Sequence, residues 1–151
     1  LSEQLNSLEN LWPVGLPGGI IHADMFPDNV FFQRGRVSGV IDFYFACTDA
    51  FAYDIAICIN AWCFEPDFSF NIAKARTMLE AYQQVRALDG NEIDAFPILA
   101  QGAAMRFLLT RLYDWHNTSA AALVTRKDPM EFYAKLRFHA RVSDARAYGL
   151  E

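Results

Sequence analysis

The chain has 151 residues, 53% hydrophobic and 21% charged, a balance that excludes intrinsic disorder and leaves room for one domain with a real core. A formal net charge of −5 and a pI near 5.1 exclude a nucleic-acid binder, which needs a basic patch. They do not exclude a nucleotide, whose phosphates a magnesium ion neutralises locally.

Residues 1–12 read as the end of a helix, with Leu5, Leu8 and Leu11 on one face. A breaker-rich loop with Pro13, Gly15, Pro17, Gly18 and Gly19 follows. Residues 19–22 form a predicted apolar strand, and 24–28 are too polar and turn-prone to continue it. Residues 30–33 and 37–43 read as two strands joined by a turn at Arg34-Gly35-Arg36. That hairpin would return Asp42 to the side of Asn29. Beyond it the hydrophobic period changes from two to about 3.6, and the rest reads as helix. The predicted helices are 51–64, 69–88, about 91–116, and 128 to about 148. Thr48 or Asp49 is expected to cap the first, and Pro66 to end it. Asp89-Gly90 should stop the second, Pro97 lies in the early turns of the third, and Asp128-Pro129 should open the last. Residues 117–127 are the expected loop. The fold class is therefore α+β and mainly helical.

Three cysteines, Cys47, Cys58 and Cys63, show neither CxxC spacing nor a nearby histidine at zinc-ligand spacing. They read as reduced thiols in or near the core of a cytoplasmic protein. No apolar run approaches the roughly 18 residues of a membrane span, so neither membrane nor nucleic acid is an expected partner.

Chemistry concentrates in His22-Ala-Asp-Met-Phe-Pro-Asp-Asn29 and Ile41-Asp42-Phe43. A carboxylate, an amide five positions on, and a second carboxylate beyond a hairpin suit phosphoryl transfer. Asp24 would accept or orient the proton of an attacking hydroxyl. Asn29 and Asp42 would hold Mg2+, which prefers hard oxygen ligands and keeps several waters. His22 reads as a loop support that hydrogen-bonds to backbone near Asp42. Asp28 reads as a turn residue.

His22-Ala-Asp-Met-Phe-Pro-Asp-Asn-Val30 with Gly39-Val-Ile-Asp-Phe43 resembles the aminoglycoside phosphotransferase and choline kinase superfamily, which shares the protein-kinase fold. Ala52-Tyr-Asp-Ile-Ala56 is similar to its Tyr-Asp-Leu-Ala signature, which implies that Asp54 supports the catalytic loop. Further segments narrow the resemblance to the bacterial homoserine kinases of protein-kinase type. They are Phe26-Pro-Asp-Asn-Val-Phe-Phe32, Ile41-Asp-Phe-Tyr-Phe-Ala-Cys47, Asn60-Ala-Trp-Cys-Phe64 and Arg106-Phe-Leu-Leu-Thr-Arg-Leu-Tyr-Asp-Trp115. The resemblance implies ATP-dependent phosphorylation of the L-homoserine hydroxyl, with ATP as co-substrate.

The nucleotide-covering half of such a kinase has no counterpart here. Lys74, Lys127 and Lys135 all fall in predicted helices or loops, and there is no GxGxxG or GxxxxGK[ST] run. Residues 1–151 are therefore expected to be the C-terminal lobe, inactive without an N-terminal lobe and prone to self-association through an exposed docking face. Homoserine calls for an arginine and an acid. Arg106 and Arg111 are candidates, but their five-residue spacing predicts that at most one points inward. Tyr44 is a further pocket candidate, and Trp62 and Trp115 are expected in the core. Two alternatives remain open: a kinase for another alcohol (choline, ethanolamine, methylthioribose or an aminoglycoside), and a non-catalytic binding module.

Overall fold

The computed structural model describes residues 1–117 and 127–150. In chain order these form α1 (Ser2–Leu11), β1 (Gly18–Ile21), β2 (Val30–Gln33), β3 (Arg36–Val40), β4 (Cys47–Ala50), α2 (Phe51–Trp62), α3 (Ile72–Gln83), α4 (Gly90–Asn117) and α5 (Pro129–His139). Short 3₁₀ turns lie at Pro27–Asn29, Phe43–Phe45 and Ala145–Tyr148. Most of the expected loop at 117–127 lies outside the described residues.

The expected hairpin forms. β2 and β3 pair antiparallel from Val30↔Val40 to Gln33↔Arg36. Arg34 and Gly35 both take positive φ, 52° and 74°, the backbone that lets a two-residue connection follow the strands' right-handed twist. The register slips between Phe31 and Phe32, which bends the ribbon.

The sequence reading missed β4. It pairs antiparallel with β1, Gly18↔Ala50 through Ile21↔Cys47, so Thr48 and Asp49 are strand residues rather than helix caps. Ala50 occupies the cap position of α2 without a side-chain cap. The ladder brackets the whole site segment: the chain leaves it after Ile21 and rejoins it at Cys47.

Helices α2, α4 and α5 enclose the core, which includes Ile57, Ile59, Phe96, Leu99, Phe132 and Leu136. Helix α4 runs 28 residues with Pro97 inside it. Its start is a reciprocal capping box. Glu92 N–H donates to Asp89 Oδ1 at 2.9 Å, and Asp89 N–H donates to Glu92 Oε2 at 3.1 Å. Asp89 thus opens α4 rather than closing α3. Helix α3 stops five residues earlier than expected, at Gln83, and the next segment brings Arg86 onto the buried Glu92 at 3.0 Å. Asp128 does cap α5, accepting from Met130 N–H at 2.8 Å. That helix ends at His139 rather than near Tyr148. The chain folds back there, so that the Tyr148 hydroxyl meets His139 Nδ1 at 2.8 Å.

Of the three thiols, Cys63 is buried, Cys58 half-buried and Cys47 exposed. The core or near-core position expected for Cys47 is thus corrected: it opens β4, whose first three residues are exposed. Burial pushes the Cys63 thiol up to about 11, so it is inert at neutral pH. Among the described residues no helix is long and apolar enough to cross a membrane.

Candidate active site

Strand β1 delivers His22, Ala23 and Asp24 into a loop that the surrounding elements hold from several sides. Asp54, in the first turn of α2, accepts the His22 N–H at 3.2 Å and the Ala23 N–H at 2.8 Å. Arg106 of α4 donates through Nη1 to the Ala23 carbonyl at 2.8 Å. Both polar ends of Ala23 are therefore fixed. That accounts for its positive φ of 60°, a conformation that costs an alanine about 1 kcal/mol or more. The kink turns Asp24 out of the strand direction. Trp62 adds a further tie, its indole N–H donating to the Met25 carbonyl at 2.8 Å.

Asn29 is buried, and its Nδ2 donates to the Asp24 carbonyl at 2.8 Å and to Asp24 Oδ2 at 3.2 Å. With the amide nitrogen committed to Asp24, the side-chain oxygen faces the other way. The Ile41 N–H donates to the Asn29 carbonyl at 3.0 Å, so the end of β3 docks on the loop. His22 Nε2 donates to the Ile41 carbonyl at 2.9 Å, while its Nδ1 accepts the Asp24 N–H at 3.2 Å. The backbone donor and acceptor fix the tautomer as Nε2–H. Asp42 follows with a φ of 62°, which an aspartate tolerates better than most residues, and this turns its carboxylate out of the strand.

Asp24, Asn29 and Asp42 consequently line one cavity of about 350 Å³. Burial raises the Asp24 carboxyl above its ordinary value, and the Asp42 charge adds to the rise; Arg106, Asn29 and His22 offset part of it. Asp24 is thus a better proton acceptor than a solvated aspartate.

Arg106 and Arg111 both line the cavity, against the expectation that only one would turn inward. Each guanidinium reaches around α4 onto an aromatic face, Arg106 over Phe45 and Phe107 and Arg111 over Phe132. Arg111 is also engaged elsewhere, with Glu131 at 2.5 Å and the Asp128 carbonyl at 3.0 Å. Tyr44 does not line the cavity. It is 86% exposed, and the middle of the 43–45 turn directs it outward; Phe45 lines the wall instead. Trp115 is 43% exposed rather than in the core. Four lining residues are not singled out for the site by the sequence: Phe45, Thr110 and Asp114, which stand in segments that carry the resemblance, and Lys127. Lys127 pairs with Asp28 at 3.0 Å across 99 positions of chain, a contact that periodicity does not encode.

Among the described residues no group of three or more His, Cys, Asp or Glu side chains is placed to hold a metal ion. The oxygens of Asn29 and Asp42 nonetheless suit a hard divalent cation that keeps most of its ligands as water and phosphate.

A pinned carboxylate beside an amide and a second carboxylate, on a mainly helical scaffold, defines a phosphotransferase-type site. The chain belongs to the phosphotransferase enzyme family (APH), whose pattern residues 1–88 match. It is 58% identical over 147 residues to a homoserine kinase of Rhizobium etli (strain CIAT 652), a match covering 97% of this chain and 46% of that protein. It is 62% identical over 150 residues to a homoserine kinase of Rhodospirillum rubrum, covering 99% of this chain and 47% of that one. The chain thus spans just under half the length of these curated relatives. Its fold matches part of Plasmodium vivax ethanolamine kinase with a TM-score of 0.64 at 17% identity, covering 92% of this chain and 39% of that one.

Proposed function

We propose that this chain is the C-terminal, catalytic lobe of an ATP-dependent kinase that phosphorylates the side-chain hydroxyl of L-homoserine. The juxtaposition of Asp24, Asn29 and Asp42 around one cavity carries the phosphoryl-transfer part of the reading. Identity near 60% to homoserine kinases along nearly the whole chain supports the substrate.

Asp24 is the proton acceptor. One carboxylate oxygen is occupied by Asn29, and the other is available to the substrate hydroxyl. The carboxyl's raised proton affinity suits it to take that proton as the O–P bond forms. Asn29 and Asp42 would hold Mg2+, which when bound neutralises phosphate charge. His22 and Asp54 are positioning residues: His22 ties the Asp24 loop to the Asp42 loop, and Asp54 holds the backbone of both His22 and Ala23. Arg106 and Arg111 supply positive potential to the substrate end of the cavity. A strand lysine and a phosphate-covering loop are to come from an N-terminal lobe outside these 151 residues.

The test uses the full-length protein with L-homoserine and magnesium-ATP, assayed for phosphohomoserine. Wild type should turn over. Asp24→Asn should lose about 10²–10⁴-fold in kcat, the range for a general base. Unchanged turnover in Asp24→Asn would remove the base from Asp24. Faster phosphorylation of choline, ethanolamine, methylthioribose or an aminoglycoside would reassign the substrate.

A further inference from the structure

Where α4 meets α5, one carboxylate serves two cations. Glu131 Oε2 accepts from Arg111 Nη1 at 2.5 Å, and Glu131 Oε1 accepts from Lys135 Nζ at 2.5 Å. Lys135 is 3% exposed and is anchored from its other side, donating to the Asn60 carbonyl of α2 at 2.7 Å. Its Nζ and the Arg111 guanidinium both lie against the Phe132 ring, 4.6 and 4.5 Å from the centroid. Burial works to raise the Glu131 carboxyl, but the hydrogen bonds from Lys135 and Arg111 outweigh it and hold the group below its ordinary value. Glu131 is therefore ionised at neutral pH. Nothing in the proposed reaction uses Lys135, and it does not itself line the cavity.

An arginine and a carboxylate left to themselves favour a fork-to-fork pair, two N–H donors on two oxygens. Here the pair is one-sided. Arg111 reaches Glu131 through Nη1, and the same Nη1 donates to the Asp128 carbonyl at 3.0 Å. Among the described residues nothing accepts from Arg111 Nε or Nη2. Arg111 lines the cavity, and with Nη1 spent on α5 these are the donors left to face it. Lys135 is what stands against the second bond. Turning the Glu131 carboxylate squarely onto the fork would take Oε1 off a buried ammonium that has no other carboxylate partner among the described residues. Arg106 offers no comparable edge, because its guanidinium is committed to the Ala23 carbonyl, to Tyr53 and to the rings of Phe45 and Phe107.

We infer that Lys135 is a positioning residue for substrate binding: it holds Glu131 to a single contact with Arg111 and so keeps the second edge of that guanidinium open for the anionic group of the acceptor. This rests on the amino-acid alcohol reading proposed above, which supplies a carboxylate to fill that edge. The protein's own carboxylate and the substrate's compete for one fork, and the buried lysine decides the competition for the substrate. Because Lys135 acts through Glu131 and Arg111, away from the reacting atoms, its effect falls on binding of the acceptor and leaves the chemical step at Asp24 alone.

The experiment measures KM and kcat for L-homoserine and for magnesium-ATP in full-length wild type, Lys135→Met, the double variant Lys135→Met/Glu131→Gln, and Arg111→Lys. In Lys135→Met, Glu131 is released to close on Arg111, and KM for homoserine should rise about 10- to 100-fold with a much smaller change in kcat and none in KM for ATP. Adding Glu131→Gln should bring KM back toward wild type, because a neutral amide cannot make the two-point pair; a merely structural role for Lys135 predicts no such recovery. Arg111→Lys keeps the charge and the bond to Glu131 but has no second edge, so it should raise KM for homoserine on its own. An unchanged KM in Arg111→Lys would overturn the inference even if Lys135→Met failed to fold. So would a Lys135→Met KM equal to wild type, a rise that Glu131→Gln does not reverse, or a rise in KM for ATP instead. Each of these, with wild type active on homoserine, leaves the proposed function standing. Wild type inactive on homoserine but active on another alcohol would overturn the proposed function, and this inference with it.

Discussion

At the scale of single residues the site trades stability for chemistry. Asp24 has a proton affinity raised above that of the unfolded chain, mainly by burial. The folded state therefore binds this proton more tightly than the unfolded state does, and the contribution to stability falls as pH rises through the window above the ordinary aspartate value. At neutral pH the ionised carboxylate is held at a cost. Asp24→Asn should remove that cost while lowering kcat by the factor given above. The prediction is a melting temperature in full-length protein equal to or above wild type, read by calorimetry at pH 7.5; a clear drop would mean that the carboxylate stabilises the loop it sits in. Asp54 has the opposite character. It holds two backbone N–H groups at 3.2 and 2.8 Å, and hydrogen bonds to a charged acceptor contribute about 1.5–3 kcal/mol each. Asp54→Ala should destabilise the protein by about 3 kcal/mol and lower kcat, because Ala23 would relax from its left-handed conformation and carry Asp24 with it. Urea unfolding together with turnover measures both. A variant with reduced kcat and unaltered stability would exclude the strained-loop account.

At the scale of elements, the joint between α2 and α5 carries a buried polar cluster of Asn60, Lys135 and His139. Asn60 in α2 accepts from His139 Nε2–H at 3.1 Å, and its amide donates to the Ala56 and Ala100 carbonyls at 3.0 Å each. His139 Nδ1 accepts the Tyr148 hydroxyl at 2.8 Å, and Lys135 donates to the Asn60 carbonyl at 2.7 Å. Burial, with the Lys135 charge nearby, lowers the imidazole to about 3. A histidine depressed in the folded state contributes stability that is complete above its unfolded value near 6.5 and is lost as pH falls toward 3. Unfolding free energy should therefore drop by up to about 1.4 kcal/mol per pH unit below 6.5. The slope between pH 6.5 and 5, above the carboxylate range, should flatten in His139→Gln; an equal slope in that variant would assign it to other groups. This joint also marks where sequence patterns stop being informative. The β2–β3 hairpin was legible because Arg34-Gly35 is a local turn signal, and the start of α5 because Asp128-Pro129 is a local cap. The early end of α5 was not, because Tyr148 leaves the helix to satisfy a histidine on its own far side. Nor was the end of α3, where Arg86 serves a buried glutamate of the next helix. Strand β4 was hidden because its partner residues lie 26 to 32 positions upstream, at Gly18↔Ala50 through Ile21↔Cys47. The site itself divides in the same way: Asp24, Asn29 and Asp42 stand in a short readable motif, whereas Asp114 and Lys127 reach the cavity only through tertiary packing.

At the scale of the whole molecule, the apolar surface is unevenly distributed. Ile20, Phe31, Phe32, Val37, Ile41 and Phe43 are exposed by 48–84%, and all lie in strands β1–β3 or in the segment between β3 and β4. The helices and their connections expose large apolar side chains too, Leu11, Ile72, Val85, Tyr113 and Met130 among them, but spread over several elements rather than within residues 20–45. Exposed apolar side chains concentrated in this way mark a surface that expects a partner, and the relatives' additional length is enough for a second lobe. The 151-residue chain produced alone should therefore self-associate through the strand-bearing end, give no phosphohomoserine, and bind magnesium-ATP weakly, since nothing in it covers the phosphates. Replacing Phe31 and Phe43 by serine should shift the isolated chain toward monomer in sedimentation velocity, because both rings are more than half exposed and removing them opens no cavity in the core. The same pair in full-length protein should lower its melting temperature, since there the rings would be covered. A monomeric isolated chain at tens of micromolar, or one that binds magnesium-ATP as tightly as the full-length enzyme does, would place the missing contacts somewhere other than the strand-bearing end.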